Sequence, residues 1–143
     1  MTLILGIAIP RLSRSTDAQK VKTSADITRT IIETAKSYAT AQNCHAAYVY
    51  DNATKYATVH REDIDDADGD GDRTELIAYE KGAQIPSGVT VTLSDDNTSD
   101  NSIVFSASGR TQTSGETIVI TNTSGSKTRT LTVNAVTGYV DVA

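Results

Sequence analysis

Residues 15–43, STDAQKVKTSADITRTIIETAKSYATAQN, decide how the rest of the chain folds. Val21, Ser24, Ala25, Thr28, Ile31, Ile32, Ala35, Tyr38, Ala39 and Gln42 recur at three- and four-residue steps, which places them on one face of an α-helix. Lys22, Asp26, Arg29, Glu33, Lys36 and Ser37 fall on the other side. Ser15 or Thr16 suits the N-cap, and neither Gly nor Pro interrupts the run. The spacing predicts a long amphipathic helix whose stripe must be covered by something else in the chain.

After Asn43 the period changes to two. Strands are predicted at 47–50 and 55–60 around the turn Asp51–Thr54, and at 75–80, 89–93, 102–106, 116–121, 128–134 and 139–142. Val89, Val91 and Leu93 alternate with Thr90 and Thr92; Leu131, Val133 and Ala135 alternate with Thr130, Thr132 and Asn134. Pro86-Ser87-Gly88 punctuates the run, and Gly109, Gly115, Gly125 and Gly138 sit where turns need positive φ. The predicted class is α+β, a long N-terminal amphipathic helix packed on an antiparallel β-sheet or two-sheet β-sandwich. Residues 1–14 form an apolar lead segment; 15–143 form one domain, with the helix at 15–43 and the β region at 46–143.

The chain has 143 residues, enough for one domain with a real core, and a formal net charge of −5. That balance argues against a general affinity for nucleic acid or anionic lipid. Cys44 is the sole cysteine, so no internal disulfide forms. Positions 2–9 are apolar but short of the roughly 20 residues of a membrane span.

The acid is concentrated in REDIDDADGDGDRTE, residues 61–75. Asp66, Asp68, Asp70 and Asp72, with Glu75 nearby, can turn several oxygens on one cation, and Gly69 and Gly71 let the backbone bend. Calcium favours such oxygen-rich, flexible sets; magnesium, which keeps its waters, suits them less. The first half matches an EF-hand loop, but Ile77 stands where the bidentate Glu belongs. A solvated acidic loop is the competing reading. Cys44, His45 and His60 lack paired ligand spacing, and read as a partly buried thiol with two surface or turn imidazoles. Ser87 has no strand-to-helix elbow and no Gly-rich turn opens a helix, so neither a nucleophilic enzyme nor a small-molecule substrate is expected. Asn52, Asn97 and Asn122 begin Asn-x-Ser/Thr triplets, which arise by chance in so hydroxyl-rich a chain.

LGIAIPRL, residues 5–12, followed by this helix, resembles the later part of the N-terminal helix of type IV pilins and type II secretion pseudopilins. IVFSASGR, GETIVIT and RTLTVNAVTGYVDV resemble the closing strands of H-type pseudopilins and FimT-like minor pilins, through Ile103, Phe105, Gly109, Ile118–Ile120, Val133, Gly138 and Val140. The resemblance implies a non-enzymatic filament subunit of the bacterial cell envelope. Such a subunit is held in the inner membrane before assembly and then packs with other pilin or pseudopilin subunits. Leu5, Ile7, Ile9, Pro10 and Leu12 would belong to the assembly helix, with Arg11 and Arg14 at its interface. The family's basic leader and its glutamate have no counterpart here, which implies an internally assigned start, a shortened chain or a deletion. Some FimT-like pilins bind DNA; Arg110, Lys127 and Arg129 are the cations available for that, a thin footprint. The alternative is a secreted or surface binding module for glycan, DNA or protein.

Overall fold

The predicted apolar stripe is the buried face of α1, which spans Thr2–Gln42 in the computed structural model. The structure describes residues 2–62, 76–94, 102–112 and 116–143, with side chains from residue 16 onward except those of 77 and 79–81. Val21, Ser24, Ala25, Thr28, Ile31, Ile32, Ala35 and Ala39 are all buried. Tyr38 is half-buried and Gln42 is exposed, so the stripe ends a turn earlier than the spacing suggested. The reason is the helix stop: Asn43 adopts φ 53° and Cys44 N–H returns to the Ala39 carbonyl at 3.2 Å. That left-handed cap ends the helix and directs the chain into the first strand, which begins at Ala46.

Eight strands follow, β1 (Ala46–Asp51), β2 (Tyr56–Glu62), β3 (Leu76–Gln84), β4 (Val89–Ser94), β5 (Ser102–Phe105), β6 (Glu116–Asn122), β7 (Thr128–Val133) and β8 (Val140–Val142). They form two four-stranded sheets, ordered β3-β2-β1-β5 and β4-β6-β7-β8, with every pairing antiparallel. The chain crosses between sheets for β4 and crosses back so that β5 can pair with β1. Helix α1 touches strands of both sheets.

The strand alternation sorts the side chains in β4, β6 and β7, while in β1 Ala46, Ala47 and Tyr48 are buried in succession. Tyr48, Val59, Ile103 and Phe105 of the first sheet join Ile118, Ile120, Leu131 and Val133 of the second in one core with Ile32 and Ala35 of the helix. Each fully buried aliphatic side chain stabilises by about 1.5–3 kcal/mol, so this shared core holds helix and sheets together. Tyr139 precedes β8 and is 60% exposed. The Asp51 carboxylate shapes the β1–β2 turn by accepting from Ala53 N–H at 2.8 Å and the Thr54 hydroxyl at 2.7 Å. Gly109, Gly125 and Gly138 have positive φ, as their turns require; Gly115 lies outside the described residues.

Candidate functional site

The surface that α1 leaves uncovered is flanked by two unlike edges. On one side lies β3, an edge strand with an irregular register: Thr58 pairs with Gly82 but Val59 with Tyr79, so Glu80 and Lys81 are extra. The bulge brings Gly82 hard against β2. A Cβ there would stand 2.7 Å from the Ala57 carbonyl oxygen and 2.9 Å from Thr58 Cγ2. Gly82 and the small Ala83 leave a groove of about 410 Å³ between β3 and the helix, lined by Ile27, Thr30, Ile31 and Val59, with Asp26 at its edge. A Gly within a strand pattern was the sequence signal for this bulge, and the prediction of a strand at 75–80 passed over it.

On the other side lies the β7–β8 turn. Asn134 Oδ1 accepts from Val136 N–H at 2.9 Å and Thr137 N–H at 3.0 Å, and Tyr139 N–H donates to Thr137 Oγ1 at 3.2 Å. Val136 is 64% exposed. A Cβ on Gly138 would be 2.3 Å from the Gly109 carbonyl oxygen, and the Lys36 stem packs beside it. The Arg29 guanidinium is raised chiefly by its hydrogen bond to Glu33, 3.0 Å away.

The acidic residues Asp66, Asp68, Asp70, Asp72 and Glu75 lie outside the described residues; they fall between Glu62 and Leu76, which pair across β2 and β3. The backbone of Leu5, Ile7, Ile9, Pro10 and Leu12 belongs to α1, while their side chains lie outside the described residues. Among the described residues, no helix is long and apolar enough to cross a membrane.

Cys44 is buried, and burial pushes its thiol up. His45 Nδ1 meets Glu62 Oε1, beside a shallow pocket of about 310 Å³ that Val104 and Gln112 also line. His60 lies two residues along β2, where burial lowers its pKa. Among the described residues, no three His, Cys, Asp or Glu side chains converge as a metal site.

The three candidate cations are exposed but do not converge. Thr111 N–H bonds the Ala135 carbonyl at 3.1 Å, which puts Arg110 past the far end of β7, whereas Lys127 and Arg129 are at its start. At about 3.3 Å per residue the gap from Arg110 to Lys127 is roughly 25 Å. Asn122 is 3% exposed and fully engaged in hydrogen bonds, so its Asn-Thr-Ser triplet is a turn and not an attachment point.

The family model described as type II transport protein GspH matches residues 24–138. Among solved structures, the minor pseudopilin EpsH of the Vibrio cholerae type 2 secretion system is similar with a TM-score of 0.66 at 11% identity, over 87% of this chain and 96% of that one. The type IV minor pilin FimU of Pseudomonas aeruginosa is similar with a TM-score of 0.65 at 14% identity, over 90% and 91% of the two chains. At such identities these two likenesses establish the fold. No curated protein sequence matches the chain.

Proposed function

The chain belongs to the type II transport protein GspH family, whose members are structural pseudopilus or pilus subunits, and we propose that this one enters its filament through α1. The family match across 24–138 carries that reading. The arrangement is suited to it: one helix carries a covered face and an uncovered one, so the sheets hold it from behind and its front is free to meet neighbours. The role is mechanical and needs no catalytic group. The partners are other pilin-like subunits, and the place of work is the cell envelope.

We further propose calcium as the ligand of the acidic segment, on the carboxylate spacing alone, where it would brace the connection between β2 and β3.

The test of function is genetic and direct. Deleting the gene from the cell that makes the protein is expected to abolish type II secretion or surface piliation, with restoration by the wild-type chain. Normal secretion and piliation, together with no cross-link to any pilin-like protein, would overturn the assignment.

A further inference from the structure

The net charge of −5 hides a separation along the molecule. Eight acidic residues against a single cation, Arg73, fall at 62–75, so the rest of the chain is net positive. Glu62 and Leu76, which bracket that run, pair at one end of β2. Tyr56 begins the other end, about 20 Å away at 3.3 Å per residue.

Helix α1 joins the sheets at the Tyr56 end. Ile85 N–H donates to the Lys55 carbonyl at 2.9 Å, and Thr123 N–H donates to the Gly88 carbonyl at 3.0 Å. Asn122 Nδ2 reaches Asp17 of the helix. The β1–β2, β3–β4 and β6–β7 turns are therefore gathered where the helix leaves the sheets. Cations stand on this end. Lys20 Nζ lies 4.0 Å from where a Cβ on Gly88 would be, and Lys127 and Arg129 are exposed at the start of β7. The nearby carboxylates of Asp17 and Asp51 are turned to Asn122 and Thr54.

Beyond Asp17 the helix runs back to Thr2, about 22 Å along its axis at 1.5 Å per residue. Arg14 and Arg11 fall within about the first 10 Å of that length, and the apolar run 2–9 follows. The order is basic end, two arginines, apolar helix. A bilayer met from water presents its layers in the matching order, charged headgroups and then hydrocarbon.

We propose that the end of the domain carrying Lys20, Lys127 and Arg129 docks on anionic phospholipid headgroups. An acidic protein surface would neutralise these cations but offer nothing to the apolar run, whereas a lipid surface satisfies both. A short apolar segment binds a membrane only weakly, and stable attachment takes a basic patch besides. The same headgroups repel the acidic run, so the docked domain stands with its Glu62–Leu76 end away from the membrane. This contact goes beyond the filament reading and does not depend on it.

The experiment is co-sedimentation of the 143-residue chain with vesicles of phosphatidylglycerol or of phosphatidylcholine, at low and high salt. Binding is expected on phosphatidylglycerol at low salt, with a clear loss at high salt and on phosphatidylcholine. Lys20→Gln, Lys127→Gln and Arg129→Gln should each weaken it about fivefold. Arg110→Gln removes the same charge at the opposite end, past the far end of β7, and should leave binding unchanged. Unchanged melting temperatures show that each variant is folded. Equal binding to both lipids, or a loss in Arg110→Gln as large as in Lys127→Gln, would overturn the proposal. Soluble polyglutamate bound as tightly as phosphatidylglycerol would overturn it in favour of an acidic protein. Failure here alongside a secretion or piliation defect on gene deletion removes the lipid contact and leaves the filament role standing.

Discussion

Asn122 Nδ2 donates to Asp17 Oδ2 across 3.3 Å, joining residues 105 positions apart and tying the β6–β7 hairpin to α1. The same side chain accepts from Lys127 N–H at 2.9 Å and donates to Ser124 Oγ at 2.9 Å. Asn122 therefore organises a turn and anchors it at once. Asn122→Ala should lower stability by about 1–3 kcal/mol, because the part-buried Lys127 N–H bond is lost with the rest. Asp17→Ala should cost less, about 1 kcal/mol, since only one bond goes. Urea denaturation of both variants and the double variant measures the coupling; equal losses for the two single changes would contradict the assignment.

The glycines should rank by what a Cβ would meet. Gly125 has open space around it and φ +71°, so Gly125→Ala should cost only the left-handed strain, about 1–2 kcal/mol. Gly82→Ala has no such strain but runs into the Ala57 carbonyl, and overpacking of that kind costs about 1–3 kcal/mol. Gly138→Ala combines φ +64° with a 2.3 Å clash and should be worst. Thermal melts of the three variants give the order directly, and Gly125→Ala melting lowest would refute it.

Stability should fall on mild acidification, and His60 is one cause. Burial lowers its pKa, with a backbone hydrogen bond to Leu76 opposing in part. Between that lowered value and the ordinary imidazole value of about 6.5, the unfolded chain binds more protons than the folded one. Stability therefore rises with pH through that window and is lost as pH drops through it. His60→Gln should flatten this part of a denaturation-midpoint profile between pH 7 and the onset of carboxylate titration. An unchanged slope would show that His60 is not responsible.

Calcium should stabilise the chain modestly. With affinities of about 10⁻⁴–10⁻³ M, usual for extracellular sites, one millimolar calcium gives about 0.4–1.4 kcal/mol. A small rise in melting temperature and a measurable heat on titration are expected, both lost in Asp68→Asn/Asp70→Asn. No heat and no melting shift at millimolar calcium would leave Asp66–Glu75 as a solvated turn.

Much of this was legible locally. The helical stripe from Val21 to Ala39 and the alternation in Val89–Leu93 and Thr128–Val133 report which side of each element is apolar, and an element forms where its own backbone bonds and its own apolar face agree. The acidic residues were equally plain, though their spacing alone cannot say whether an ion sits among them. The groove and the turn were not legible, for a different reason. Gly82 reads as a weak strand position until β2 is brought beside it, and Tyr139 reads as a strand residue until β8 is seen to begin after it.

By itself the sequence determined a helix followed by short antiparallel strands, because periodicity and turn residues act within a few positions of themselves. Only the tertiary structure decided that β4 and β5 exchange sheets, that Arg110 stands far from Lys127, and that α1 has a recess on one flank and a projection on the other. Those are properties of pairing between residues distant in the chain. Alternation states which face a strand buries; it does not state which strand will lie alongside it.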